Sequence, residues 1–277
     1  MSRNERAAPE PFFLANASDR RFCIFHPPAG DVRGAVLYVH PFAEEMNKSR
    51  RMAALQSRAL AAHGFGVLQI DLCGCGDSDG DFAGATWSQW RDDVHAGMQW
   101  LRDRVSAAIT MWGLRLGAAL AIDAAQGGAA PASMVLWQPV LDGATMVTQF
   151  LRLKIASQML SEGRAEGGLQ DLRSRLDAGE TIEVAGYPVT RALVAGIEAV
   201  ALDKLVPSAS VQWLEVAAQP ERPLPPAARR VVDGWTGRGA KVDVHCVAGP
   251  QFWNTLEITE CPELVAKTTA IMTGGGR

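Results

Sequence analysis

The sequence predicts an α/β fold in which a mostly parallel central sheet is flanked by helices on both faces. Two observations carry this. Short apolar, partly β-branched runs recur at 35–39, 66–70, 108–112, 133–137, 211–216 and 242–247, and most are separated by stretches of helical periodicity. Runs that are apolar throughout suit strands buried on both faces, and strands alternating with helices build a parallel sheet. The second observation is local. The run ending at Trp112 meets Gly113-Leu114-Arg115-Leu116-Gly117 and then an alanine-rich helical pattern. A strand, two glycines four positions apart and a helix mark a sharp reversal of the chain.

The elements follow in order. Phe12–Ala15 and Arg21–His26 read as short strands about a turn at Asn16-Ala17-Ser18-Asp19, and Pro27 to Asp31 is a second turn. Ala35–Val39 is a central strand ending at His40-Pro41-Phe42. Asn47–His63 reads as a helix with Met52, Leu55, Ala59 and Leu60 on its apolar face, stopped by Gly64. Gly66–Ile70 is a strand that runs into a turn-rich loop, Asp71 to Gly80. Thr86 or Ser88 caps a helix from Trp87 to Arg104, with Val94, Met98 and Leu101 as its stripe. The strand to Trp112, the turn at Arg115 and a helix to Gln126 come next, then a strand at Ser133–Trp137 ending at Gln138-Pro139.

Between Pro139 and Pro207 the alternation stops. Ala144–Leu160 and Leu169–Leu176 read as helices, Thr181–Tyr187 as a small strand and Thr190–Leu202 as a third helix. This is long for one connection, so 140–206 is expected to form a helical cap insertion over a core made of 1–139 and 207–277. Val211–Val216 resumes the strands. Pro220 to Pro226 is a Pro-rich loop, Ala227–Gly237 a helix, Val242–Val247 the last strand and Glu263–Met272 the closing helix.

Composition narrows the function. Hydrophobic residues make up 48% and charged residues 21%, with a net charge of −3, which points away from nucleic acid and from an anionic membrane surface. The five cysteines (Cys23, Cys73, Cys75, Cys246 and Cys261) lack framework or zinc-site spacing and suit reduced thiols. No signal-peptide pattern opens the chain, and no stretch reaches the roughly 20 apolar residues of a membrane span, so a cytoplasmic location is expected. The end, Gly274 to Arg277, reads as a frayed tail. Asp71, Asp77, Asp79 and Asp81 read as turn chemistry rather than metal ligands, with Asp71 holding the turn and Ser78 capping locally. No metal or cofactor is expected.

In a sheet of this kind the working surface lies at the strands' carboxyl ends. Those ends carry His40-Pro41-Phe42, Asp71, Arg115, Gln138, the loop after Val216, and Gly249-Pro250-Gln251-Phe252-Trp253. On His40-Pro41, the Asp71–Ser78 loop and the glycines Gly113 and Gly117, the chain resembles the α/β-hydrolase superfamily over nearly its whole length. The segments 40–48, 74–82 and 113–117 together resemble, more narrowly, the second of two hydrolase-like proteins that accompany the exosortase A and exopolysaccharide system of bacteria. That resemblance implies a setting but no substrate.

The superfamily's G-x-S-x-G motif lifts a serine above the sheet, and a later acid and histidine complete its triad. Here Arg115 holds the serine's place, and a guanidinium is no nucleophile. Reading 249–253 against the family's histidine pattern puts Phe252 at the base's place. His245 lies inside a strand, and Glu215 and Glu221 fall beside the acid's place rather than on it. The standard triad is therefore absent.

A helix amino terminus at Leu116 and Gly117 together with Arg115 predicts an electropositive pocket. Its charge can be answered internally by Glu44 or Glu45, from the loop after His40, or by a bound carboxylate or phosphate. Internal pairing is the plainer reading, and the two are compatible. Phe42, Trp137, Phe252 and Trp253 are expected near the pocket rim, where aromatics suit an apolar or sugar-like ligand. The leading expectation is a non-catalytic accessory protein binding an anionic, acyl or sugar-like ligand. The alternative is an ester or thioester hydrolase with a rearranged site using His40, Glu45, Cys75 and Arg115, Cys75 and His40 forming a candidate nucleophile pair. A third reading is a scaffold whose cap binds another protein of the same locus.

Overall fold

In a computed structural model the protein is described at residues 7–16, 19–128, 130–162, 167–219, 221 and 223–274. Among these residues an eight-stranded sheet forms the centre. Its strands are β1 (Glu10–Asn16), β2 (Asp19–His26), β3 (Gly34–Val39), β4 (Phe65–Ile70), β5 (Ile109–Leu114), β6 (Ser133–Trp137), β9 (Ser210–Ala217) and β10 (Val242–Ala248). Their order is β1-β2-β4-β3-β5-β6-β9-β10. β1 and β2 pair antiparallel with each other, and β2 with β4; all other neighbours are parallel. The tip of the β1–β2 turn and the final three residues lie outside the described residues.

The helices are α1 (Glu44–Ala62), α2 (Trp87–Arg104), α3 (Leu116–Gly127), α4 (Gly143–Glu162), α5 (Leu169–Asp177), α6 (Arg191–Glu198), α7 (Pro226–Gly237) and α8 (Pro262–Thr273). α1 and α8 pack together over one face, around Met52, Leu60, Trp112, Trp137 and Leu264. α2, α3 and α7 cover the other, around Leu37, Met98, Leu120 and Trp235. β3 and β5 are buried at every position, as continuous apolar runs require. α3 is buried almost all round, which its alanines permit.

Four elements differ from the sequence expectation. α1 begins at Glu44, three residues early, because Ala43 turns the chain with φ 50° and ψ −128° and two acidic residues then favour the helix amino end. Its buried face is also rotated. Ser49, Gln56 and Ser57 are buried while Leu55 and Ala59 are half-buried. Gln56 donates to Thr269 on α8 and Ser57 accepts from Gln69 on β4, while the Ser49 hydroxyl is buried without a hydrogen-bond partner among the described residues. The small strand at 181–187 is a hairpin, β7 (Ile182–Val184) and β8 (Tyr187–Val189), about Ala185 and Gly186, both at positive φ. The third helix of the insertion stops at Glu198.

Several loops are held by residues with one clear task. Asp71 accepts from Arg50 and from the Asp77 amide, Ser78 Oγ donates to the Asp71 carbonyl, and Phe22 N–H donates to Ser78 Oγ. Gly76, at φ +56°, passes so close that a Cβ there would lie 1.9 Å from Asp71 Oδ2. The loop from Asp71 to Gly80 is thus a structural turn. Asp79 is likewise engaged, by Arg20.

The reversal from β5 to α3 depends on backbone proximity. A Cβ at Gly113 would lie 2.4 Å from Ala118 Cα, and one at Gly117 2.3 Å from the carbonyl oxygens of Val39 and His40. Neither neighbour can yield, being backbone. Gly113→Ala and Gly117→Ala are each expected to cost at least about 2–3 kcal/mol. Gly84→Ala, where a Cβ meets nothing within 4 Å, is the control and should stay within about 0.5 kcal/mol of the parent. Urea denaturation of the three variants checks this.

Candidate functional site

Arg115 sits between β5 and α3 with φ 55° and ψ −120°. This backbone region is nearly reserved for glycine and costs on the order of 1–3 kcal/mol for other residues. Ala43, after β3, and Gln138, after β6, also have positive φ. Three strained residues therefore stand at the carboxyl ends of adjacent strands, and such clusters mark sites rather than scaffolding.

The guanidinium of Arg115 has three neighbours. Its Nε donates to Glu45 Oε1 at 3.2 Å, and its Nη1 lies 3.4 Å from the Gln138 carbonyl oxygen. Its Cζ stands 5.6 Å from the ring centre of Trp253. Internal pairing with Glu45 is thus present. Glu44, one residue away, instead accepts from the hydroxyl of Tyr187 in the hairpin, and Asn47 Nδ2 donates to that hydroxyl at 2.8 Å. The first turn of α1 therefore holds the β7–β8 hairpin through Glu44 and the reversal through Glu45. Burial pushes the Glu45 carboxyl up, against the pull of Arg115 and Lys48. One of its oxygens, Oε2, is buried without a hydrogen-bond partner among the described residues.

Beside Arg115 opens a cleft of about 340 Å³ between the ends of β6 and β9 and the starts of α4 and α7. Arg115, Gln138, Asp142, Thr145, Gln149 and Glu215 supply its polar wall. Glu215 is 6% exposed and accepts from Trp213 Nε1 at 2.9 Å. The Gln138 side chain bonds it too, and Gln138 Oε1 accepts from the Val216 amide at 2.7 Å. Gln138 therefore ties the Arg115 side to the Glu215 side. The cleft is not the electropositive pocket expected from the motif: Glu45 answers the one cation, and Glu215 and Asp142 add acid.

His40 and Cys75 lie under the reversal, with Phe42 and Leu116, on a cavity of about 10 Å³, room for one water at most. His40 Nδ1 donates to the Pro41 carbonyl at 2.7 Å, so its Nε2 must be the acceptor of the Leu72 amide at 3.2 Å. Neither ring nitrogen is free to take a proton, and burial pushes the imidazole pKa down. Burial pushes the Cys75 thiol up, chiefly through desolvation. The candidate Cys-His pair is thus a pair of structural groups.

The aromatic residues also need correction. Trp137 and Phe252 are both 0% exposed, in the layer beneath α1 and α8. Trp137 Nε1 donates to Thr268 on α8. Neither lines the cleft: Trp137 ends β6, Phe252 begins a short 3-10 turn after β10, and both pack into the layer beneath α1 and α8. Trp253 is buried as well but touches the site through its ring face on Arg115.

The chain matches the family model described as serine aminopeptidase, S33, over residues 30–179. It belongs to that family. Solved structures agree on an α/β-hydrolase fold. Est1E from Butyrivibrio proteoclasticus, with ferulic acid bound, is 14% identical, with 95% of this chain and 97% of that chain covered and a TM-score of 0.64. The carboxyl esterase from Bacillus coagulans is 16% identical over 96% of this chain and 98% of that chain, TM-score 0.63. The mouse α/β-hydrolase domain-containing protein 10 is 16% identical over 96% and 100%, TM-score 0.62. At these identities the likeness is one of fold. No match to a curated protein was found.

At the reversal between β5 and α3 this member of the family carries an arginine at positive φ. His245 lies in the edge strand β10 and bonds Gln212, away from the reversal. Glu221 is exposed. Glu215, expected only beside the acid's place, and Gln138, expected only as a strand end, both line the cleft. Glu215 sits inside β9, one strand position short of where an acid was sought, yet its carboxyl reaches the cleft; a lone acid in an apolar strand was the available signal. Among the described residues no group of three or more His, Cys, Asp or Glu is placed to hold a metal ion, and no helix is long and apolar enough to cross a membrane.

Burial is the main cause raising the Glu215 carboxyl above its ordinary value of 4.5, opposed by Trp213, Arg115 and Gln138. The fold therefore holds this proton more tightly than the unfolded chain does. The stability it contributes is complete below the unfolded value and is lost as the pH rises through the folded one. Glu215→Gln keeps an acceptor for Trp213 and buries no charge. Its stability relative to the parent is expected to rise between about pH 4 and about pH 7. Urea denaturation at both ends of that window measures it, and a flat difference would show that Glu215 titrates as a solvated acid.

Proposed function

We propose that this chain is a non-hydrolytic member of its family, an accessory protein that binds a small ligand in the cleft beside Arg115. One observation carries the reading. The nucleophile's strained backbone is retained, and the side chain it lifts is a guanidinium held by Glu45. The close backbone contacts of Gly113 and Gly117 impose that conformation, so what sets this chain apart is the side chain presented there, a guanidinium on the wall of the cleft. Burial of Phe252 at the base's place supports the same reading, since no imidazole stands ready to activate an oxygen nucleophile. The rearranged ester or thioester hydrolase lacks comparable support, because both nitrogens of His40 are engaged and the Cys75 thiol is buried. The likeness of 40–48, 74–82 and 113–117 to the second exosortase A-associated hydrolase family supports a place in that protein-sorting and exopolysaccharide system, with a cytoplasmic location.

Active-site labelling tests the catalytic part. A fluorophosphonate probe is expected to leave both the parent and Arg115→Ser unlabelled. Carboxyl ester, thioester and aminoacyl substrates should turn over no faster with the parent than with Arg115→Ala. Labelling of Arg115→Ser would mean that another histidine serves as base. Turnover by the parent that Arg115→Ala abolishes would establish the rearranged enzyme.

A further inference from the structure

The cleft's own chemistry specifies a ligand class. We propose that it takes a neutral polyhydroxylated molecule, of the size of a single sugar ring; this rests on the cleft being a ligand site, as proposed above. The volume, about 340 Å³, falls at the small end of the roughly 300–1,000 Å³ typical of small-molecule sites. Charge argues against a simple anion. The cation that would hold it is already met by Glu45 at 3.2 Å, and the carboxylates of Glu215 and Asp142 face the same space. A free cation is disfavoured too, because Arg115 shares the wall and Glu215 already receives the Trp213 indole and the Gln138 side chain.

What remains is a wall carrying donors and acceptors side by side. Arg115 and the amides of Gln138 and Gln149 donate; Glu215, Asp142 and the amide oxygens accept; Thr145 does both. A hydroxyl is the uncharged ligand group that both donates and accepts. Several hydroxyls on one frame answer such a wall without bringing a charge. Asp142 is fixed for the task, since its Oδ1 receives the Thr145 amide at 2.7 Å and Glu215 is locked by its own partners. The cleft is also lined by Val140, Met146 and Pro225, which offer apolar contact to the C–H groups of such a ring. The aromatic residues that suggested a sugar-like ligand from sequence do not contribute, as Trp137 and Phe252 are sealed in the core. The assignment stands on the polar wall instead.

The test is saturation-transfer NMR on the full chain with four probes at millimolar concentration: a mixture of common neutral hexoses and pentoses, sodium acetate, inorganic phosphate and ethylammonium. The neutral sugars are expected to receive saturation. Thr145→Val and Gln149→Ala, both on the exposed side of α4 and so free of folding risk, should each weaken that binding about fivefold, the loss of one net hydrogen bond. Saturation of acetate, phosphate or ethylammonium without the sugars would overturn the polyol assignment while leaving the cleft a ligand site. Sugar binding untouched by both substitutions would place the ligand elsewhere and also overturn it. Silence from all four probes would overturn this inference and the ligand-binding reading together.

Discussion

Where β5 turns into α3 the chain passes so close to its neighbours that only glycine fits on either side. Gly117 rests on the backbone carbonyls of Val39 and His40, and Gly113 rests on Ala118. That contact aligns the ends of β3, β5 and β6 and fixes where α3 begins. It also forces the residue between the glycines into a left-handed, extended-ψ conformation, whatever its side chain. Arg115 therefore stands at the apex of the turn between β5 and α3, at the carboxyl end of the sheet. Its charge, lifted to the edge of the sheet, then shapes its surroundings. Glu45 turns toward it from α1, the Gln138 carbonyl approaches it, and the face of Trp253 lies against it.

The site is consequently one of balance. A guanidinium at a helix amino end would be unfavourable alone, since both carry positive potential. Glu45 relieves this at close range through a single contact, and its second oxygen stays unpartnered. A partly buried pair of this kind adds little net stability, although removing one partner leaves an uncompensated charge. Glu215 lies further along the cleft and is kept by hydrogen bonds rather than by an ion pair. The result is a largely apolar cleft that carries polar groups of both signs, with Gln138 between the Arg115 side and the Glu215 side.

Much of this architecture is legible in the sequence, and the reasons are physical. β6 spans the Ser133–Trp137 run read from the sequence, and its four apolar residues are all buried, as a strand covered on both faces requires. Thr86 caps α2 as its position predicts. The two glycines locate the reversal because no other residue survives there. Legibility fails where side chains act across long separations. Nothing local to Ala43 marks it as a helix start, since its conformation is imposed by the approach of β3 to α3. Trp137 is the last paired residue of β6, and alternation along the strand turns it to the α1–α8 face, which a list of strand-end residues does not reveal. Glu215 reads as an anomaly within a strand until Gln138, 77 positions earlier, is seen to bond it.

The charge balance of the site rests on the contact between Arg115 and Glu45. A double-mutant cycle tests it most directly, using Arg115→Met, Glu45→Gln and the double variant in urea denaturation at neutral pH. The account predicts a coupling energy of about 1 kcal/mol or more, as contacting partly buried charges show. Additive effects, with coupling below about 0.5 kcal/mol, would contradict it.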